Sequence, residues 1–350
     1  MLRVVTDSRC LAHQAPRGYP ERPARLSGIL AHLRAAGVEV VDLHPAAGAE
    51  APGSPATPES PAPAATTASP AAIDGAAHRP PDEEPPAAAW AAVTALHPES
   101  YVRRFQRAAA RGDAVLDSAD NPLSPGVWQA AWGAVEATLA AADWVAGGNG
   151  RIGFAAVRPP GHHAEAGTAM GFCFFANAAI AAEHLRQRHG AERVAIFDFD
   201  VHHGNGTQHL LEQRADIFYA STHQYPFYPG TGAAGETGTG AGSGATLNVP
   251  LPAGTGDDGY AAAIQDRVLP AIRRFSPDVL VLSAGFDAWR NDPLGGMAVT
   301  EEGFARWGDW LGRLAAELCG GRVLAVLEGG YDLANLPRLA AAHLQGLDAG

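Results

Sequence analysis

The sequence predicts a single α/β domain: a doubly wound, mainly parallel eight-stranded sheet with helices on both faces. Three observations point there. Apolar runs rich in Val, Ile and Leu recur without strict polar alternation, as strands buried on both faces require. Stretches with helical periodicity separate them, so β and α alternate. Motifs rich in Gly, Asp and His follow several runs, at the carboxyl ends where open α/β sheets gather ligands.

The elements follow in order. Leu2-Arg3-Val4-Val5-Thr6 predicts a strand over 2–7, then a helix over 22–36 and a strand over 38–43. Residues 45–89 break the pattern: Pro52, Pro55, Pro58, Pro61, Pro63 and Pro70, then Pro80-Pro81 and Pro85-Pro86, stand among Ala, Ser, Thr and Glu. Such a stretch has little to bury against its ordering entropy, so a disordered loop insertion is expected, with a partner-binding or gating loop as its functional alternative. Helices are predicted over 99–110 and 126–146, the second started by Pro125 after Ser124. Strands at 152–158, 193–199, 216–222, 245–250, 278–284 and 322–327 alternate with helices at 174–189, 257–275 and 301–318. Thr300 before Glu301-Glu302 is an N-cap with acidic first-turn residues. The expected domain comprises 1–44 and 90–345.

Composition narrows the classes. The 350 residues carry a net charge of −12 with no basic run, which argues against nucleic acid or an anionic membrane as partner. All 25 basic residues are Arg, so Schiff-base and P-loop lysine chemistry are excluded. Cys10, Cys173 and Cys319 are unclustered, which suits a reducing compartment without a disulfide framework. The amino terminus has no signal-peptide core, and no apolar run is long enough to span a bilayer; a cytoplasmic location is expected. Composition does not fix the oligomeric state.

Five motifs carry the chemistry: Arg158-Pro159-Pro160-Gly161-His162-His163, Asp198-Phe199-Asp200-Val201-His202-His203-Gly204-Asn205-Gly206, Ser221-Thr222-His223, Gly285-Phe286-Asp287 and Glu328-Gly329-Gly330-Tyr331. In extended backbone alternate residues point the same way, so Asp200 and His202 can reach one metal while Asp198 turns to a neighbouring role. Asp287 follows a strand expected beside theirs. Two carboxylates and one imidazole leave an open position, as a catalytic Zn²⁺ requires, and its water would titrate near a pKa of roughly 7. Fe²⁺ or Co²⁺ would also suit this set. Taken singly, an Asp after a strand caps a helix and His-His-Gly-Asn-Gly makes a tight turn. Those readings leave unexplained why the acidic strand ends all come with histidines or a Gly-Gly-Tyr turn.

On these motifs, with Gly171-Phe172-Cys173 and Pro229-Gly230-Thr231-Gly232 in the same order, the chain resembles the histone deacetylase family. That family includes bacterial deacetylases and acetylpolyamine amidohydrolases, within the arginase/deacetylase fold; the Glu-Gly-Gly-Tyr and His-His-Gly-Asn-Gly-Thr forms are most similar to its class II branch. The resemblance implies Asp200, His202 and Asp287 as Zn²⁺ ligands, with His162 oriented by Asp198 and His163 by Asn205. Many relatives carry Asp where Asn205 stands, but class II relatives share Asn. A carboxylate partner favours imidazolium, so His162 should be charged; His163, beside a neutral amide, is easier to keep neutral and free to transfer protons. Tyr331 would donate to the oxyanion, from a turn that Gly329 and Gly330 permit.

The resemblance further implies a substrate tunnel walled by Gly171, Phe172 and Tyr228, with Gly330 among the substrate-facing residues. Cys173 packs near the tunnel floor. Asp120 is a candidate rim acceptor, and Leu294 stands where polyamine-selective relatives can carry an acidic gatekeeper. Ser221 and Thr222, with Asp198, Asp200 and His202, match a K⁺ site. The expected activity is Zn²⁺-dependent deacetylation of acetyl-lysine in protein or peptide, or of a small acetylated amine, with an acetylpolyamine amidohydrolase as rival. A binuclear Mn²⁺ ureohydrolase is less favoured because Gly285 stands where the arginase pattern has another Asp. An inactive acetyl-ligand binding module is disfavoured because the ligand and proton-transfer positions are filled.

Overall fold

The computed structural model of this protein describes residues 1–45 and 84–350. The insertion expected at 45–89 therefore lies, from 46 to 83, outside the described residues. Its last residues are helical: α2 begins at Ala87 and buries Ala89 and Val93.

Among the described residues eight strands form one sheet: β1 (Leu2–Thr6), β2 (Val40–Asp42), β3 (Ile152–Ala155), β4 (Val194–Asp198), β5 (Ile217–Gln224), β6 (Thr246–Leu251), β7 (Val279–Ala284) and β8 (Val323–Leu327). Their order is β2-β1-β3-β8-β7-β4-β5-β6, and all pairings are parallel. Apolar runs without alternation mark strands covered on both faces, and β3, β4, β7 and β8 are buried at every residue. The order matters for function. β8, β7 and β4 lie side by side, so segments up to 130 residues apart end at one place, with Asp198 opposite Ser283 on one side and Ser221 on the other.

The helices are α1 (Pro23–Ala35), α2 (Ala87–Thr94), α3 (Glu99–Arg111), α4 (Val127–Ala146), α5 (Asn177–His189), α6 (Asn205–Leu211), α7 (Asp257–Ala263), α8 (Leu269–Phe275), α9 (Glu301–Cys319) and α10 (Leu336–Ala349). α7 and α8 run on from one another through a π-helical turn over Ile264–Val268, so the helix expected over 257–275 is continuous with one wide turn inside it. Thr300 caps α9 as predicted, its hydroxyl accepting from Gly303 N at 3.3 Å. The start of α4 differs. It follows Gly126 at φ 82°, and the Ser124 hydroxyl is held instead by His13 Nδ1 at 2.7 Å. A second buried cluster joins α2, α3 and α4 to Phe174 and Phe175: Phe105 stacks on Phe174 at 4.8 Å, and Trp132 meets Phe175 at 5.1 Å. It anchors the segment that carries Gly171 and Phe172. Among the described residues no helix is long and apolar enough to cross a membrane. Cys10, Cys173 and Cys319 are free and buried.

His97, between α2 and α3, is wholly buried; its Nδ1 donates to Ala166 O at 3.2 Å and its Nε2 accepts from Ala176 N at 3.0 Å. Both bonds together require the neutral ring, because imidazolium has no acceptor nitrogen. Burial holds its pKa at about 4, and that of buried His343 at about 4 as well. Below the unfolded value near 6.5 the unfolded chain binds more protons, so this stability is present above 6.5 and is lost as pH falls toward 4. Each such histidine adds a slope of up to about 1.4 kcal/mol per pH unit. Urea unfolding midpoints should fall steadily over that interval; a flat profile would contradict it.

Candidate active site

Beyond β4 the chain turns through Asp200 and His202, and beyond β7 it reaches Asp287. His202 Nδ1 lies 3.0 Å from Asp200 Oδ1 and 3.2 Å from Asp287 Oδ2. The three side chains present their ligand atoms within 4.8 Å of one another. Backbone amides fix the carboxylates: Val201 N donates to Asp287 Oδ1 at 2.8 Å, Gly329 N to Asp200 Oδ2 at 2.8 Å and His202 N to Asp200 Oδ1 at 2.9 Å. Asp287 Oδ2 is buried without a hydrogen bond. Glycines keep the space open. A Cβ on Gly285 would lie 2.1 Å from Asp200 Oδ2, and one on Gly329 2.1 Å from Asp287 Oδ2. Burial opposes charge on His202, but the carboxylates of Asp200 and Asp287 outweigh it and raise its pKa to about 10. Burial and the Asp200 charge raise Asp287, while the charges of His162 and His202 overcome burial and lower Asp200. This concentration of buried negative charge is what a divalent cation neutralises. Two other groups could hold a metal among the described residues. Asp143, His184 and His189 form one near the surface, and Asp7, His44 and Glu136 the other, where Arg9 already pairs with both carboxylates at 2.6 and 2.9 Å.

The tandem histidines part as expected. His162 Nδ1 donates to Asp198 Oδ2 at 3.1 Å, and His163 Nδ1 lies 2.7 Å from Asn205 Oδ1. Burial opposes the imidazolium of His162, but Asp200 and then Asp198 override it and raise its pKa to about 10. His163 moves the other way: burial lowers it well below 6.5, and repulsion from His162 and His202 adds to this. One ring is built to be charged and its neighbour neutral.

A cavity of about 220 Å³ opens onto this cluster, lined by Asp120, His163, Gly171, Phe172, His202, Tyr228, Leu294 and Tyr331. Tyr331 packs against Phe172 with ring centres 5.8 Å apart, and Tyr228 against His163 at 5.2 Å. Burial raises the Tyr331 phenol well above 10, with Asp287 and Asp200 adding to the effect against Arg25. It therefore stays a proton donor at neutral pH. Asp120 is at the mouth, but Oδ2 already accepts from Tyr228 OH at 2.9 Å and Gly171 N at 3.0 Å, and Oδ1 from the Ser118 hydroxyl. Gly330 does not line the cavity; it sits at φ 113° and its carbonyl accepts from Arg25 Nε at 2.6 Å. Of the residues expected at a monovalent-cation site, Ser221 faces Asp198 in register, but its hydroxyl is 2.9 Å from His223 Nδ1. Thr222 points to the other face of β5, its buried hydroxyl unbonded, so only its backbone could join that site.

Several residues at the site were not singled out from sequence. Glu328 Oε2 accepts from Gly161 N at 2.6 Å and His162 N at 3.1 Å, pinning the His162-His163 turn. Asp292 Oδ2 accepts from Tyr331 N at 2.6 Å. The Arg25 guanidinium lies 4.6 Å over the Tyr331 ring. Glu328 stood inside a recognised motif and Asp292 beside Leu294, so their positions were the available signal.

A model of the histone deacetylase domain matches residues 57–347. The chain belongs to the histone deacetylase family. It is 42% identical over 253 residues to the histone deacetylase-like amidohydrolase of Pseudomonas aeruginosa, covering 72% of this chain and 66% of that protein. It is 50% identical over 185 residues to the chloroplastic histone deacetylase 10 of Oryza sativa, covering 53% of this chain and 42% of that relative, so the chain spans less than half of the relative's length. The crystal structure of an acetylpolyamine aminohydrolase from Burkholderia pseudomallei superposes with a TM-score of 0.79 at 29% identity, covering 100% of this chain and 99% of that one. The eight-stranded sheet is thus the family's arginase/deacetylase fold.

In this histone deacetylase domain, Gly329→Ala would push a methyl group between Asp287 and Asp200. Divalent-metal affinity is expected to fall at least roughly tenfold, with the far-UV spectrum unchanged. Equilibrium metal titration followed by elemental analysis checks it.

Proposed function

We propose that this chain hydrolyses the acetamide of N-acetylated amines, with acetyl-lysine in a peptide or protein as favoured substrate and one Zn²⁺ as cofactor. The observation that carries the reading is the convergence of the Asp200, His202 and Asp287 ligand atoms, a neutral His163 and a protonated Tyr331 on one cavity. The residues fit the ion. Two carboxylates and an imidazole suit Zn²⁺, as they suit Fe²⁺ or Co²⁺, and Asp287 Oδ2 has the His202 ring as a close polar neighbour, 3.2 Å away. When bound, Zn²⁺ supplies a Lewis acid for the amide carbonyl and lowers the pKa of water in its open position.

The protein's own groups do the rest. The acetylated stem lies along Phe172 and Tyr228, and Leu294 offers no charge to a free ammonium. His163, neutral through the physiological range, accepts a proton from the attacking water at Nε2 and returns it to the leaving nitrogen. His162, held as imidazolium by the carboxylate of Asp198, stabilises the negative charge that develops beside it without moving a proton. The Tyr331 hydroxyl donates to the oxyanion. A second metal finds no carboxylate at Gly285, where even a methyl group would meet Asp200. K⁺ on Asp198 and Ser221, with backbone carbonyls, is our reading of the neighbouring oxygens, which face each other across β4 and β5.

Tyr331→Phe should lower kcat by roughly 10²- to 10³-fold, as loss of one oxyanion donor does, and leave metal content unchanged; undiminished turnover would remove the oxyanion role. Acetate release from an acetyl-lysine peptide should exceed that from acetylputrescine and acetylspermidine. If acetylputrescine wins by orders of magnitude, the activity is that of an acetylpolyamine amidohydrolase. Metal content near two per chain would return the ureohydrolase reading.

A further inference from the structure

Glu165 is partly buried, lies just after the tandem histidines and does not line the cavity. Its Oε1 accepts from Asn205 Nδ2 and from His209 Nδ1, the latter at 2.8 Å. Asn205 and His209 stand four residues apart on α6, so both reach the same carboxylate. Asn205 Nδ2 also contacts Met170 Sδ at 3.3 Å. The other end of the same amide, Oδ1, is 2.7 Å from His163 Nδ1.

An amide is a two-ended partner. Its oxygen accepts and its nitrogen donates, and a half-turn about its last torsion exchanges them. With oxygen toward His163, Nδ1 must carry the proton and Nε2 keeps its lone pair. With nitrogen toward His163, Nδ1 must accept, the proton moves to Nε2, and the ring can no longer act as a base on the cavity side. A carboxylate in place of Asn205 would present an acceptor either way. Asn205 needs something to choose its orientation, and Glu165 can only accept. A flipped amide would set its oxygen against the Glu165 carboxylate, an acceptor against an acceptor, whichever tautomer His163 took.

We propose that Glu165 is a positioning residue that fixes the reactive tautomer of His163 by locking the amide of Asn205, with His209 holding the Glu165 carboxylate in place. This rests on the deacetylase reading above.

Reversal of the charge tests it. Lys at 165 donates only, so it should turn the amide and force the wrong tautomer. Glu165→Lys is expected to lower kcat at least 100-fold, with KM within a factor of three and bound metal unchanged. Glu165→Gln can present either end and should give a smaller loss. In an Asn205→Asp background, where no amide needs orienting, Glu165→Lys should cost less than threefold. The separate readout is the ¹⁵N spectrum of histidine-labelled, metal-loaded protein, with His163 assigned by its loss in His163→Gln. Wild type should show Nδ1 protonated and Nε2 bare, and Glu165→Lys the reverse. An unchanged tautomer in Glu165→Lys, or an equal loss of kcat in both backgrounds, overturns the proposal. Wild-type protein that releases no acetate from any probe would instead overturn the deacetylase reading, and the tautomer spectra would still decide the role of Glu165.

Discussion

Four carboxylates, Asp198, Asp200, Asp287 and Glu328, are wholly buried at the ends of three adjacent strands, and the site is organised around balancing them. A buried anion without a partner is costly, so each must find a donor or lose its charge. Glu328 takes two backbone amides, yet burial still lifts its pKa to about 7. Asp198 has the His162 ring and the Tyr219 hydroxyl. Asp200 and Asp287 converge on His202 and on the space that Gly285 and Gly329 leave between them. Two buried carboxylates facing one ring across that space make it a candidate seat for a cation. The same surplus of negative charge favours imidazolium at His162, and burial together with that positive neighbour lowers the pKa of His163.

The sheet was legible because strands buried on both faces must be apolar throughout; the strand ends stood out because Asp, His and Gly crowd there at short spacing. The missed pieces have different causes. α6 begins at Asn205, inside a run that reads as a tight turn from its glycines, and the backbone continues into a helix there. α2 is an Ala-rich extension of a Pro-rich stretch, so composition concealed it. α10 carries Leu336, Leu339, Ala340, Leu344 and Leu347 on one buried side, a spacing that was present but lay beyond the last motif. Glu165, Asp292 and Arg25 escaped because their work is done through backbone and amide partners distant in sequence, which spacing does not reveal. Asp120 does line the cavity, but its engagement by Tyr228 and Gly171 is a tertiary fact.

Fold and site are joined by a buried ionic net. Glu21 accepts from Arg158 Nε at 2.8 Å and Nη2 at 2.6 Å, and lies 3.3 Å from Arg25 Nη1. Arg158 also donates to Cys10 O and His13 O, and Arg25 to Glu328 O and Gly330 O. Five planar donors on each guanidinium satisfy a cluster of carbonyls that an ammonium would serve poorly. Through this net α1 reaches the turn that presents Tyr331, so the position of the phenol is set by a helix near the start of the chain.

The hydrogen bonds across the mouth have a thermodynamic meaning. Asp120 already accepts from Tyr228, Gly171 and Ser118. Three of the roughly four acceptor positions of this carboxylate are thus taken, so a ligand donor finds room for about one more hydrogen bond and beyond that must displace a partner. The rest of the cavity lining at Phe172, Tyr228 and Leu294 offers mainly apolar contact. Under the deacetylase reading, such an entrance grips a slender stem by its shape, and Leu294 adds no charge that would reward a free ammonium.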